Sequence, residues 1–472
     1  MGEIKFGTDG WRAVMCDTFT FTNVRLVVQA IAGYLRAHYP AEKGVLVGYD
    51  SRFLAERFAD EAARVLAANG IRALVTAEDT PTPVVAHAVT VRKAAGALMF
   101  TASHNPPEYN GLKFIPDYGG PAAPEITREI EERLEEVLSR GQVHQLSREE
   151  ANDRGLIEKI DPRPDYLRHL SGLVDFGLIR NAGLRVIYDP MYGTGRHYLG
   201  QILADAGCQV RVIHGQRDPL FGGLNPEPTE EQLAELIGLV KGGEADLGLA
   251  TDGDADRFGV IDSQGRYITP NQVISLLLAH LANKGGKGGV VRTVATTHLI
   301  DRLAAKYGLV AYETPVGFKH VCQLMREKPI LIGGEESGGL SVGRHIPEKD
   351  GILACLLVAE LRAAAKKPLT QILGELMREV GASFSRRIDV HLSEERKRAV
   401  IDKLKANPPR ELGGQAVTGV STIDGVKVSL EDGSWFLARP SGTEPLLRIY
   451  VEAGNEDLLQ RRIAEVRALA EA

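Results

Sequence analysis

The residues of this chain whose types could support a reaction lie in four polar loops, each at the end of an apolar run. The first loop, TASHNP at 101–106, follows the apolar residues 97–100 and precedes Pro107. Prolines interrupt both helix and strand, so this segment is predicted to turn and to present the hydroxyl group of Ser103 to solvent. Serine and asparagine are common in ordinary turns, so this loop alone is weak evidence for a functional site. The three loops that follow it strengthen that evidence.

The second loop, DGDADR at 252–257, brings three carboxylates together. Alternate side chains of an extended segment project to the same side, so Asp252, Asp254 and Asp256 would repel one another unless a cation lay between them. Oxygen ligands favour a hard cation such as Mg²⁺ or Ca²⁺. A calcium EF-hand is excluded because Arg257 and Ser263 stand where its turn glycine and bidentate glutamate belong. A solvated acidic turn is the remaining alternative.

The third and fourth loops offer groups for a sugar and for a phosphate. In GGEESGG at 333–339, glycines admit a close ligand, and the glutamate and serine side chains can bond to sugar hydroxyls. In RPSGTEP at 439–445, one arginine, two hydroxyls and a glycine are the parts of a phosphate cradle. Taken singly, either segment could also be an ordinary turn.

Together these loops resemble those of the α-D-phosphohexomutases, the family of phosphoglucomutase and phosphomannomutase. The resemblance begins at FGTDGWR (6–12), runs past Arg448, and keeps the serine, metal, sugar and phosphate loops in the family order. It implies an α/β fold class: three related α/β domains plus a smaller α+β C-terminal domain around a central active-site cleft. The expected domains are residues 1–152, 153–260, 261–367 and 368–472.

The resemblance also implies a mechanism. A phosphorylated Ser103 would pass its phosphoryl group to the free 6- or 1-hydroxyl of a hexose monophosphate, with glucose 1,6-bisphosphate as intermediate and activator. Lys113 matches the general base of the family, with Arg12 and His104 beside it. The implied ligands of Mg²⁺ are Ser103, Asp252, Asp254 and Asp256. The residues implied in substrate binding are Arg257, Lys319, Glu335, Ser337, His345, Lys349, Arg439, Ser441, Gly442 and Thr443.

The sugar loop favours glucose. Dual glucose/mannose members and glucosamine members carry Met or Gln where this chain has Glu336, and His where it has Gly339. Gly338 departs from the aromatic residue typical of glucose-type members, so phosphomannomutase, dual-specificity and phosphoglucosamine mutase activities stay open. Two rivals from other classes are an aspartyl phosphatase, which would leave Ser103 idle, and a non-catalytic sugar-phosphate sensor, which would need no metal.

The composition is ordinary for a soluble globular enzyme. Of the 472 residues, 44% are hydrophobic and 25% charged, as in ordinary globular proteins. A net charge of −6 speaks against nucleic acid or a membrane surface as partner. The resemblance implies small-molecule hexose phosphates as ligands and a monomer or homodimer. The four cysteines form no CxxC pair, and no apolar signal segment opens the chain, so a cytoplasmic location is expected.

Strand-like and helix-like segments alternate over most of the chain, which predicts largely parallel sheets with ligands at the strand ends. Strands are expected at 45–47, 73–75, 97–100, 184–188, 210–213, 290–292 and 330–332. Helices are expected at 54–68, 81–91, 230–240, 299–306, 321–326 and 369–380. The last part breaks this rhythm with a hairpin around 431–433 and a closing helix at 456–469, and segments 139–152 and 366–368 are expected to be linkers.

Overall fold

A computed structural model describes residues 4–7, 10–441 and 446–471, which form four sheets in chain order. Three sheets are mixed, with parallel central strands, and the fourth is antiparallel. This agrees with the expected three α/β domains and one α+β domain. None of the helices in the described part of the chain combines the length and apolarity needed to cross a bilayer.

The first sheet has the order β1-β2-β6-β5-β3-β4-β7, with β5, β3, β4 and β7 parallel. Its strands are β1 (Phe6–Gly7), β2 (Gly10–Val14), β3 (Val45–Tyr49), β4 (Ala73–Thr76), β5 (Gly96–Phe100), β6 (Tyr109–Pro116) and β7 (Ile157–Ile160). Its helices are α1 (Phe21–His38), α2 (Ala55–Ala68), α3 (Thr82–Arg92), α4 (Pro124–Arg140) and α5 (Arg148–Asp153). Leu98 packs towards α2 and Met99 towards α3, so β5 is buried on both faces, as its continuous apolar run predicts.

The second sheet has the order β12-β11-β10-β8-β9, with β10, β8 and β9 parallel. Its strands are β8 (Arg185–Asp189), β9 (Gln209–Val212), β10 (Leu247–Thr251), β11 (Phe258–Asp262) and β12 (Tyr267–Ile268). Its helices are α6 (Arg163–Leu170), α7 (Phe176–Ala182), α8 (Leu199–Asp205) and α9 (Ala234–Lys241). The helix expected at 230–240 begins only at Ala234, because residues 230–233 form turns.

The third sheet has the order β14-β13-β15-β16, with only β16 antiparallel. Its strands are β13 (Gly289–Thr293), β14 (Ala311–Thr314), β15 (Ile330–Gly334) and β16 (Leu340–Val342). Its helices are α10 (Pro270–Asn283), α11 (Leu299–Lys306), α12 (Phe318–Glu327), α13 (Gly351–Ala365) and α14 (Leu369–Val380). The apolar helix α13 is buried almost throughout, between the second and third sheets, so these two regions share one core.

The fourth sheet is antiparallel, with the order β17-β22-β21-β20-β19-β18. Its strands are β17 (Phe384–His391), β18 (Glu411–Leu412), β19 (Gln415–Ser421), β20 (Val426–Leu430), β21 (Trp435–Pro440) and β22 (Leu446–Ala453). The helices α15 (Glu394–Ala406) and α16 (Glu456–Glu471) cover it. The hairpin expected around 431–433 is the β20–β21 turn.

One structural unit recurs in the first three sheets. A parallel strand ends in a short polar loop, and the chain returns as an antiparallel neighbour: β5 to β6, β10 to β11, and β15 to β16. The three intervening loops are residues 101–108, 252–257 and 335–339, which hold the serine, the aspartates and the sugar-type groups. The fold therefore supplies each candidate loop from the same topological position.

The contacts bear on the expected domain boundaries. Strand β7 pairs with β4 beyond residue 152, and β11 runs across residue 260. Helix α14 lies beyond residue 367 but packs with α10 and α11. The expected linker at 139–152 contains most of α5, which begins with a capping box between Ser147 and Glu150. We propose that the divisions fall between β7 and α6, after β12, and between α14 and β17.

Candidate active site

Ser103 lies in the first loop, directly beyond β5, and is almost fully buried at 1% exposure. The expectation that its hydroxyl faces solvent is wrong, because the loop at 252–257 covers it: a Cβ on Gly253 would lie 2.8 Å from the Ser103 carbonyl oxygen. Ser103 Oγ donates to Asp252 Oδ2 at 2.9 Å and lies 3.3 Å from His104 Nδ1. The serine is thus held against the acidic loop.

The three aspartates converge in the turn between β10 and β11, where Ala255 adopts a left-handed conformation with φ of 57°. All three are buried, and one carboxylate oxygen from each lies within 4.8 Å of the others. Burial, then repulsion by Asp254 and Asp256, raises the pKa of Asp252 well above its usual value. Oδ1 of Asp254 and Oδ1 of Asp256 are buried without a hydrogen-bond partner among the described residues. Such an all-oxygen set with unsatisfied acceptors fits a hard divalent cation.

Two lysines face this cluster. Lys113, on β6, is 2% exposed and donates to Asp254 Oδ2 at 3.0 Å and Asp256 Oδ2 at 3.2 Å. Lys349 Nζ lies 3.2 Å from Asp256 Oδ2 and 3.0 Å from Glu348 Oε1. Burial opposes ionisation of Asp256, yet Lys349 and Lys113 lower its pKa below the usual value. Lys113 is therefore part of the cluster and not a solvated surface lysine.

Arg12 contacts the serine loop, and His104 lies within that loop. Arg12, on β2 beside β6, donates from Nη1 to Asn105 Oδ1 at 2.7 Å. Burial, then the positive charges of Arg257 and Arg12, lowers the pKa of His104 well below its ordinary value. A neutral imidazole therefore sits next to the serine hydroxyl, where it can exchange a hydrogen bond but holds no charge at neutral pH.

Arg257 connects the aspartate loop (252–257) with the third loop (333–339). Its backbone N–H donates to Asp252 Oδ1 at 2.9 Å, and its guanidinium donates to Glu227 at 3.0 Å. It also forms an isolated antiparallel bridge with Gly339. This bridge links the backbones of the two loops.

In the third loop, Glu335 is buried and accepts a hydrogen bond from the Gly317 amide at 2.8 Å. Burial, followed by repulsion from Glu336, raises the pKa of Glu335 to about 7. Ser337 is exposed, and Lys319 is half-buried at the start of α12. These three side chains offer polar groups in and beside the third loop.

Glu336 of the third loop and the predicted substrate residue His345 have their side chains bound elsewhere. Glu336 accepts hydrogen bonds from Thr293 at 3.0 Å and Thr296 at 3.4 Å, so its carboxylate is bound to residues at the end of β13. The His345 side chain is fully buried, with its ring nitrogens 2.9 Å from His169 and 2.8 Å from Asp350. The structure therefore does not bring His345 to the other predicted substrate residues, because both its nitrogens are taken up by a buried polar chain.

The fourth loop begins at Arg439, the penultimate residue of β21. Arg439 Nε donates to Asp424 Oδ2 at 2.8 Å, and the Val316 amide donates to the same oxygen at 3.0 Å. Ser441 is buried, and its carbonyl accepts a hydrogen bond from Lys397 at 3.2 Å. The predicted phosphate ligands Gly442 and Thr443 lie outside the described residues.

Comparison with known proteins gives four consecutive matches. Domains described as phosphoglucomutase/phosphomannomutase alpha/beta/alpha domains I, II and III match residues 3–140, 164–265 and 269–380, and the C-terminal domain of the same family matches 388–469. The chain belongs to the phosphoglucomutase/phosphomannomutase family. It is accordingly a phosphohexomutase, and this membership speaks against both the phosphatase and the sensor alternatives.

Relatives of this phosphohexomutase carry different sugar names. A phosphoglucomutase of Komagataeibacter xylinus is 31% identical over 96% of this chain and 87% of its own length. A “Probable phosphoglucosamine mutase” of Methanothermobacter thermautotrophicus is 34% identical over 96% and 94% of the two chains. A crystal structure named “putative phosphomannomutase” from Thermus thermophilus has a TM-score of 0.86, 34% identity and 99% coverage of both chains.

Three residues that contact predicted site residues in the structure were not predicted from the sequence. Thr82 donates to Asp254 at 2.6 Å from the start of α3, Glu227 holds Arg257, and Asp424 holds Arg439. Thr82 and Glu227 carry no local signal, because ordinary helix starts and turns contain the same residue types. Asp424, in the Asp-Gly pair at 424–425, has the sequence pattern of an ordinary turn. Its two hydrogen-bond partners are evident only in the structure.

Proposed function

We propose that this phosphohexomutase interconverts hexose 1-phosphates and hexose 6-phosphates, with glucose preferred, through a phosphorylated Ser103 and a bound hexose 1,6-bisphosphate. The observation that carries the proposal is the 2.9 Å hydrogen bond from Ser103 Oγ to Asp252 within the buried carboxylate cluster. A hydroxyl held against a cation-type site suits phosphoryl transfer, in which catalysis is mainly positioning and charge neutralisation.

The residues that would hold Mg²⁺ are Ser103, Asp252, Asp254 and Asp256. When bound, the cation would neutralise negative charge on the carboxylates and on the phosphate oxygens. In the transfer itself, the bond between phosphorus and Ser103 Oγ breaks, a bond to the sugar hydroxyl oxygen forms, and the hydroxyl proton passes to a base. Lys113, as the neutral amine, is the proposed base that takes this proton and becomes an ammonium group, since its nitrogen lies within the cluster, with Arg12 and His104 close to the serine.

The intermediate must present either of its phosphates to Ser103, so one cradle must bind the other phosphate in both orientations. Arg439 and Ser441, together with Gly442 and Thr443 of the same loop, are proposed for this role. Glu335 and Ser337, with Lys319, Arg257 and Lys349, would bind the ring and its hydroxyls. Contacts of this kind read hydroxyls that glucose and mannose share, which predicts modest discrimination between them.

A coupled assay with glucose 1-phosphate, mannose 1-phosphate and glucosamine 1-phosphate, primed with glucose 1,6-bisphosphate and Mg²⁺, tests the proposal. We expect kcat/KM to be highest for glucose, lower for mannose by about tenfold or more, and lowest for glucosamine. Phosphoglucosamine mutase is the second candidate, favoured by the 34% identity to a relative of that name. A kcat/KM on glucosamine 1-phosphate equal to or above that on glucose 1-phosphate would overturn the glucose preference.

A further inference from the structure

Arg52 is a fully buried arginine beneath the serine loop, and no step described above uses it. Its Nε donates to Asp50 Oδ2 at 3.2 Å. Its two terminal nitrogens donate to main-chain carbonyl oxygens of the loop, those of Ser103 (2.7 Å), Asn105 (2.6 Å), Pro106 (2.7 Å) and Tyr109 (3.0 Å). The Arg52 guanidinium group therefore bonds four main-chain carbonyl groups between the end of β5 and the first residue of β6.

These bonds fix the backbone around the reacting hydroxyl. Ser103 has a φ of 52°, a left-handed conformation that costs a residue with a side chain about 1–2 kcal/mol. The loop keeps this conformation while its carbonyl groups converge on Arg52, so the peptide planes cannot turn freely. The hydroxyl of Ser103 is consequently aimed at Asp252 by the main chain as well as by its own hydrogen bond.

Residues from the part of the chain that forms the second sheet also pack against Arg52. The buried ring of Phe221 has its centroid 5.0 Å from the guanidinium carbon. Arg217 donates to the carbonyl oxygens of Ser51 at 3.3 Å and Arg52 at 3.4 Å, and pairs with Glu56 at 3.0 Å. The region that supplies the aspartates therefore also clamps the arginine that shapes the serine loop.

We propose that Arg52 is a positioning residue for phosphoryl transfer: it holds residues 103–109 in the conformation that keeps Ser103 Oγ at the carboxylate cluster. The inference rests on the proposed function, because it takes Ser103 as the phosphoryl carrier. Lysine cannot reproduce this arrangement, since its donors share one nitrogen and do not form a planar fork. A shift of about 1 Å in a reacting group can cost about 100-fold in rate.

The test compares Arg52→Lys with Arg462→Lys in the full-length enzyme. Arg462 is a matched control, because it is also buried and bonds a main-chain carbonyl, that of Leu412 at 3.1 Å, but lies in the fourth region. We expect both variants to lose thermal stability, while only Arg52→Lys loses kcat, by about 100-fold, with KM for glucose 1-phosphate changed less than about threefold. Added guanidinium should restore part of the kcat of Arg52→Ala and leave Ser103→Ala inactive.

A kcat for Arg52→Lys within about threefold of the parent enzyme would overturn the inference. If Arg52→Lys does not fold, Phe221→Leu decides. It should lower kcat and speed hydrogen exchange of the backbone amides of residues 103–105, 108 and 109. If neither quantity changes, the proposal is refuted. The variant Ser103→Ala distinguishes a failure of the proposed function from a failure of the proposed role of Arg52. Activity in Ser103→Ala would refute the proposed function, whereas an inactive Ser103→Ala beside a fully active Arg52→Lys would refute only the role of Arg52.

Discussion

Gly339 leaves open the space through which Lys349 extends. A Cβ at position 339 would lie 2.6 Å from Cδ of Lys349 and 3.0 Å from its Cγ, while Lys349 Nζ reaches Asp256 Oδ2 at 3.2 Å. Contacts of 2.6 Å between carbon atoms are not tolerated, so a side chain here and this lysine position exclude each other. The missing side chain lets an ammonium group stand between the third loop and the aspartate loop.

Gly339→Ala should therefore displace Lys349 and weaken substrate binding. Loss of one polar contact in a site is worth about 1–3 kcal/mol, so we expect KM for glucose 1-phosphate to rise by about tenfold or more. Steady-state kinetics measure this. Gly374→Ala is the control, because a Cβ on that helical glycine meets nothing within 4 Å. Unchanged kinetics in Gly339→Ala would show that Lys349 does not contact the substrate.

Ser103→Ala should abolish nearly all mutase activity in the coupled assay. The buried hydroxyl makes a hydrogen bond to Asp252, so its removal should also lower the free energy of unfolding by about 1 kcal/mol, a loss that leaves the fold intact. Phosphopeptide mass spectrometry of the enzyme after exposure to glucose 1,6-bisphosphate should place the phosphate on Ser103. Retention of more than a small fraction of activity would refute the assignment.

Metal removal should stop turnover, and Mg²⁺ should restore it. Asp254→Asn removes a full charge from the cluster and should weaken Mg²⁺ binding in calorimetry, because the ion is held mainly by charge. Asp262→Asn is the control: Asp262 is equally buried, but it bonds Thr370 and the Leu369 amide away from the cluster. Normal Mg²⁺ binding and turnover in Asp254→Asn would make the triad a structural feature.

The pKa of about 7 for Glu335 predicts a pH-dependent KM. The ionised carboxylate accepts hydrogen bonds from sugar hydroxyls, so KM should rise as pH falls through this value. Glu335→Gln should keep only the pH dependence that belongs to the substrate phosphate. Because the folded state raises this pKa from 4.5, the contribution of Glu335 to the free energy of unfolding should fall as pH rises from 4.5 to about 7. Identical KM profiles for the two enzymes would count against a sugar contact.

Arg439→Lys should raise KM clearly although the charge is kept, because a guanidinium bonds phosphate through a directional fork. The phosphate is bound in both ground and transition states, so kcat should fall less than kcat/KM. Asp424→Asn should have a weaker effect of the same kind, since Asp424 holds Arg439 and the Val316 amide. An unchanged KM for glucose 1-phosphate in Arg439→Lys would remove this arginine from the phosphate cradle.

The apolar runs predicted most of the parallel strands but not the antiparallel return strands β6 and β16, and residue type and spacing pointed to the four polar loops, of which the fourth is only partly described. The burial of Ser103 could not be predicted, because the cover comes from Gly253 and its neighbours, far along the chain. The same holds for Glu336 and His345, whose partners lie on other elements. Local patterns give the residues that a loop offers, whereas tertiary packing decides which of them face the cleft.

The recurring strand–loop–strand unit bears on how substrate range can diverge within such an enzyme. Each loop is closed at its base by two hydrogen-bonded strands of its own sheet, so substitutions outside the Arg257–Gly339 bridge can occur without shifting the register of those strands. If residues 335–339 bind the sugar as proposed, substitutions among them would alter the choice of sugar while the serine and aspartate loops keep the transfer chemistry. The fold would thus allow the sugar preference to change while phosphoryl transfer is retained.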